Sequence, residues 1–116
     1  MNVEVTRGRK RIVRAADVID YSNVRAFDRA LEQAARDCPA GFIIDLSEAT
    51  YMDSAGVQAV LSAYRLVTAG GGVLAVVLRD PNTRDIIRIT GAQYLPGFHM
   101  CEDLQSAERI IPECEC

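Results

Sequence analysis

FIIDLSEATYMDSAGVQ, from Phe42 to Gln58, changes its pattern midway. Phe42-Ile43-Ile44-Asp45-Leu46 is a near-continuous apolar run, the mark of a strand covered on both faces. It gives way to Asp53-Ser54-Ala55-Gly56, where an acid, a hydroxyl and two small residues meet. From about Ala55 to Thr68 the apolar positions Val57, Val60, Leu61, Tyr64 and Val67 return at helical spacing and share one face. A buried strand that feeds a helix through a polar seam is half of a strand–helix–strand unit. Such units imply parallel strands joined by right-handed crossovers.

The same alternation continues on both sides. Gly70-Gly71-Gly72 stops the helix, and Val73–Leu78 follows as a second doubly buried strand. Asp80-Pro81 opens a third helix with proline near its first turn. Ile86 and either Ile89 or Thr90 are expected to point inward, and Gly91 stands where a C-terminal cap belongs. Phe98–Met100 predicts a last short strand, and Asp103–Ile110 a final helix closed by Pro112. Upstream, Val3 and Val5 alternate with polar residues, Gly8 punctuates, and Ile12-Val13 follow. This predicts a hairpin of strands Val3–Thr6 and Arg11–Ala16. Ser22 can cap the next helix, whose stripe is Val24, Phe27, Leu31 and Ala34. Pro39 and Gly41 end it. The chain therefore reads as a mixed α/β sheet with an antiparallel edge.

At 116 residues the expectation is one domain, with a core over about 3–111 and a tail at 112–116. That length supports a hydrophobic core without staples. Apolar residues make up 49% and charged residues 25%, an ordinary globular composition. A net charge of −3 gives no reason to expect nucleic acid or an acidic membrane as partner. The basic run Arg7-Gly8-Arg9-Lys10-Arg11 reads as a solvated hairpin turn. No apolar stretch approaches the roughly 18–20 residues that span a bilayer. The first residues lack a basic-then-apolar leader, so the expected location is the cytoplasm. Reduced thiols are then expected at Cys38, Cys101, Cys114 and Cys116. Cys114-Glu115-Cys116 is half a zinc site only if Cys38, Cys101 or His99 converges on it, because a closed site needs four ligands. No metal is expected.

Several chemistries can be weighed at the seam. A hydrolase elbow reads G-x-S-x-G, but Met52 stands at the first glycine. The order Ser54, Asp80 or Asp85, His99 matches a serine–acid–histidine order, yet a triad is a matter of geometry rather than order. So small a domain also leaves little room for a substrate pocket, and no catalytic residues are expected. Gly70-Gly71-Gly72 precedes a strand, whereas phosphate loops follow one. Asp45, Glu48 and Asp53 lie near the end of the middle strand, where three acids can hold Mg²⁺. The plainer reading is solvated loop acids, with Asp53 favoured by a helix N-terminus. Ser54 keeps two readings. Its hydroxyl can cap the helix, or it can stand open to a kinase, with Ala55 and Gly56 leaving room for a protein surface.

Phe42-Ile43-Ile44-Asp45-Leu46-Ser47 followed by Tyr51-Met52-Asp53-Ser54-Ala55-Gly56-Val57 resembles the signature of the STAS domain, specifically of bacterial anti-sigma factor antagonists. Ala75-Val76-Val77-Leu78, Ile89-Thr90-Gly91 and the closing EDLQSAERII resemble later segments of the family. The resemblance implies a four- to five-stranded mixed sheet with about four helices packed on one side. It implies partner switching rather than catalysis, with no cofactor. The unphosphorylated protein would bind an anti-sigma factor serine kinase and free the sigma factor. Phosphorylation at Ser54 would abolish binding, and a PP2C-like phosphatase would restore it. Asp20, Asp53, Ser54, Ala55, Gly56 and Gln58 are the implied partner-binding residues. One corner departs from the family. Where its second strand usually ends Gly-Glu-[Leu/Ile]-Asp, this chain has Asp17-Val18-Ile19-Asp20. That change motivates an alternative: a constitutive scaffold subunit of an ABC-type lipid transporter, or of another complex outside sigma control.

Overall fold

The computed structural model describes residues 2–114. Its elements run β1 Val3–Arg7, β2 Arg11–Ala15, β3 Asp17–Ile19, α1 Val24–Asp37, β4 Gly41–Leu46, β5 Ala49–Met52, α2 Ser54–Ala69, β6 Val73–Leu78, α3 Pro81–Thr90, β7 Phe98–Cys101 and α4 Leu104–Ile110. The main sheet has the order β1-β2-β4-β6-β7. Only β1 and β2 are antiparallel; the other neighbours are parallel. This is the expected mixed sheet with an antiparallel edge, and every predicted element is present.

Alternation sorts the side chains between two faces. Phe42, Ile44 and Leu46 of β4 join Leu74, Val76 and Leu78 of β6 under α1 and α2. Phe27, Leu31, Val60 and Val67 come down from those helices, and Ile87 of α3 reaches the same core. Burying each such side chain contributes about 1.5–3 kcal/mol. The opposite face carries Ile43, Ala75, Val77 and Cys101, covered by Ala107 of α4 and by Ile111. The helices are thus not on one side alone: three pack on one face and α4 closes the other. This double cover is why β4 and β6 read as unbroken apolar runs.

Asp17–Ile19, compared above with the end of the family's second strand, is a separate strand, and β5 has no counterpart in the sequence reading. β3 and β5 pair in parallel as a separate two-stranded sheet. Val18 lies opposite Tyr51 and Ile19 opposite Met52. Ile19 and Met52 are fully buried, while Val18 and Tyr51 face solvent. This small sheet sets the chain down immediately before Asp53.

Other local expectations are corrected. Asn23, not Ser22, precedes α1, and its side chain makes no cap bond. Instead it accepts from the Asp20 N–H and donates to the Val18 carbonyl. On α3 Ile86 packs partly against the core as expected, but the fully buried residues are Thr83 and Ile87, and Ile89, 86% exposed, and Thr90 face outward. Arg11 does not belong to the solvated turn. It is buried and donates to Asp37 at 3.0 Å.

The cysteines overturn the expectation of four free thiols. Cys38, at the end of α1, is bonded to Cys114, with Cα atoms 5.2 Å apart. The tail is therefore anchored as far as Cys114. Cys101 is a buried free thiol among the residues of the other face. Burial, then the charge of Asp103, pushes its thiol pKa up. Cys38 belongs to the first-face core, so the sheet separates it from Cys101. No group of three or more potential metal-ligating side chains occurs among the described residues. Cys116 lies outside them.

Candidate functional site

The seam after β5 is organised by Asp53 rather than by Ser54. Asp53 is the N-cap of α2, and its Oδ1 accepts from the Ala55 N–H at 2.9 Å and the Gly56 N–H at 3.3 Å. A carboxylate here satisfies otherwise unpaired amides and complements the helix dipole. Its other oxygen, Oδ2, accepts from the Tyr21 N–H at 3.1 Å. The Asp53 N–H in turn donates to the Ile19 carbonyl at 3.1 Å. One acid thus ties the start of α2 to the β3–α1 corner.

Ser54 is the first residue of α2 and is exposed. Because Asp53 caps the helix, the Ser54 hydroxyl is not needed there. Among the described residues it has no hydrogen-bond partner. The cap reading of Ser54 is therefore replaced: the cap is the neighbouring acid, and the serine is presented to solvent.

Asp20 is held at the adjoining corner. Its Oδ1 accepts from the Ser22 N–H at 3.0 Å and from the Ser22 hydroxyl at 2.5 Å. The Tyr21–Asp53 bond brings this corner beside the α2 N-terminus. Ala55 is half-buried and Gln58 exposed on the same helix. Gly56 is buried and pressed inward. A Cβ there would lie 2.3 Å from Met52 Cγ and 3.1 Å from Ile19 Cγ2. Its missing side chain lets α2 sit on the small sheet; it does not open room outward.

Beside Ser54 runs an open groove of about 490 Å³, lined by Tyr51, Met52, Asp53, Ser54, Val57, Ile86, Ile89 and Thr90. Its lining is largely apolar, and Asp53 is the charged residue in it. Tyr51 is 48% exposed and Ile89 86%, with Tyr21 at 82% on the neighbouring corner. Sequence reasoning did not foresee this exposure: it placed Ile89 on the inward side of its helix and gave Tyr51 and Tyr21 no role of their own. Exposed apolar residues are common singly, so no local pattern marked them as one surface.

The other candidate chemistries are not assembled. Asp45 lies on the second face, where its Oδ2 accepts from Arg14 at 3.0 and 2.8 Å and its Oδ1 accepts from the Ser47 N–H. It is committed to that pair and does not join Asp53. Asp80 caps α3 through Thr83. Asp85 pairs with Arg88 at 3.5 Å. His99 sits opposite Ala75 in register, on the α4 side of the sheet. The sequence order Ser54, Asp80 or Asp85, His99 therefore does not become a triad.

Comparison with known proteins agrees with this geometry. An anti-sigma factor antagonist from Mycobacterium paratuberculosis superposes with a TM-score of 0.84 at 25% identity, over 95% of this chain and 92% of that one. SpoIIAA in its unphosphorylated form gives a TM-score of 0.66 at 20% identity, covering 94% and 97%. The Bacillus cell fate determinant SpoIIAA in its phosphorylated form gives 0.70 at 19%, covering 94% and 99%. No curated protein sequence matches the chain. The STAS domain family model matches residues 1–107. The chain belongs to the STAS domain family, and its structure is similar to that of anti-sigma factor antagonists.

Proposed function

We propose that this protein is a phospho-switched antagonist whose partner is an anti-sigma factor serine kinase. The carrying observation is an exposed Ser54 hydroxyl, relieved of capping by Asp53, at the rim of an apolar groove. In the neutral state a partner packs over Ser54 and the groove residues Tyr51 and Ile89, and the sigma factor held by that partner is released. The kinase then transfers the γ-phosphoryl group of ATP to Ser54. The new Oγ–P bond forms as the bond to ADP breaks and the hydroxyl proton leaves.

The phosphate brings about −1.5 to −2 charges. At a helix N-terminus that charge is compatible with the fold. At an interface it lands beside Asp53, in a groove whose lining holds no cation. Desolvating it there costs several kcal/mol. A penalty of about 4 kcal/mol is roughly a thousandfold in affinity. A PP2C-like phosphatase resets the cycle, and the role belongs in the cytoplasm. The domain itself acts by binding rather than catalysis, and it needs no cofactor.

The test is binding of wild type, Ser54→Ala and Ser54→Glu to a candidate serine kinase, with mass spectrometry of the wild type after ATP. Ser54→Ala should bind and Ser54→Glu should lose a hundredfold or more. Equal binding by the glutamate variant, with no phosphate at Ser54, would sink the reading. One observation favours a second reading: Val18 is exposed beside Tyr51 and widens the apolar surface at the departed corner. A constitutive scaffold on an ABC-type ATPase would use that surface, and its binding would be indifferent to Ser54→Glu.

A further inference from the structure

We propose that the Cys38–Cys114 disulfide is an exchange-active modification site, opened by a dithiol reductant that attacks Cys114. The two cysteines differ in burial, and both line the same cavity. Cys38 is 2% exposed, whereas Cys114 is half-buried. The bond borders an open cavity of about 270 Å³ lined by Pro39, Ala40, Pro112 and Glu113. A small thiol, or the tip of a loop carrying a Cys-x-x-Cys pair, can approach through that cavity. Thiol–disulfide exchange requires such an approach to one sulfur.

The reductant thiolate attacks Cys114 Sγ. A mixed disulfide forms there, and Cys38 leaves as a thiolate and takes a proton. The second reductant thiol then displaces Cys114, giving two protein thiols and one oxidised reductant. Two electrons and two protons are transferred.

The bond joins residues 76 apart in sequence. It clamps the tail to α1, where the Cys114 N–H also donates to the Arg9 carbonyl at 2.8 Å. Closing so long a loop restricts the unfolded chain strongly, so opening should lower Tm by about 10–20 °C. Ser54 lies at the other end of β4, whose six residues span about 20 Å. Redox state therefore sets the persistence of the fold separately from any switch at Ser54.

The experiment uses the full chain with Cys116→Ser, so that a further tail thiol does not complicate the count. Folded protein is treated with dithiothreitol or glutathione, alkylated, and mapped by mass spectrometry, and Tm is measured in parallel. Two new alkylation sites, at Cys38 and Cys114, should appear without denaturant. The glutathione adduct should fall on Cys114. The reduced protein and Cys114→Ser should share the lowered Tm. Three outcomes would each overturn the proposal: reduction only after unfolding in urea, alkylation of Cys38 and Cys114 before any reductant is added, or a Cys114→Ser variant as stable as the oxidised protein.

Discussion

At the scale of single residues, Asp17 explains the departed corner. It is the non-glycine residue with positive φ among the described residues, at 63°, and its N–H donates to the Glu48 carbonyl. The family's glycine at this position suits that backbone, and aspartate is among the few other residues that tolerate it. Asp17→Gly should therefore raise stability by about 0.5–1 kcal/mol, read from the urea midpoint. Asp53 and Ser54 divide labour in a way that substitution separates. Asp53→Ala removes the α2 cap and the tie to Tyr21, and should cost about 0.5–2 kcal/mol. Ser54→Ala should change stability by less than about 0.5 kcal/mol while abolishing phosphorylation. If Ser54→Ala proved the more destabilising of the two, the serine would be the cap after all.

At the scale of elements, the site depends on α2 sitting tightly on the β3–β5 pair. Gly56 makes the contact with Met52 and Ile19. Gly56→Ala gains helix propensity but drives a methyl into that contact, so a net loss of about 1–2 kcal/mol is expected in thermal or urea unfolding. The groove between β5 and α3 makes the opposite prediction. Ile89 is so exposed that Ile89→Asp should leave Tm nearly unchanged. The same change should weaken binding of the proposed kinase partner by tenfold or more, as expected for an apolar anchor at an interface. Calorimetric titration of the partner with unphosphorylated wild type and variant measures the affinity, and a thermal melt of each checks the fold.

At the scale of the whole molecule, two acids carry a pH dependence, and one of them, Asp37, links distant segments. Asp37 accepts from Gln33 and then from Arg11, and these bonds lower its carboxyl pKa. Asp103 accepts from the Ser106 N–H, which lowers its own pKa at the start of α4. Both folded values lie below the unfolded ones, so acid protonates the unfolded chain first. Their stabilisation is complete above the unfolded carboxylate value and is lost as pH falls through the depressed folded values. Asp37→Asn should therefore flatten the acid limb of stability against pH, and Asp103→Asn should do so independently. The check is a series of urea midpoints from neutral pH downward. The Arg11–Asp37 bond adjoins Cys38, so the β1–β2 hairpin, the end of α1 and the C-terminal tail share one anchoring region.

Much of this was legible in the chain itself. Phe42–Leu46 and Val73–Leu78 could only be strands covered twice, because their apolar runs leave no face for water. Val57, Val60 and Val67 repeat at helical spacing, and the Asp-Ser-Ala-Gly seam places a helix start after a strand. Those are local regularities, and local sequence records them. The β3–β5 pair was not legible, because strands this short carry little alternation and exist by finding each other across more than one intervening element. The bond between Cys38 and Cys114 was hidden for the same reason: spacing along the chain does not say which sulfurs meet. Nor did sequence say that Asp53 would take the cap and leave Ser54 outside, or that Ile89 would face a groove. Periodicity determined the elements and their order. Which residues stand beside Ser54 was decided only by tertiary packing, through the register of two short strands and the seating of α2 on them.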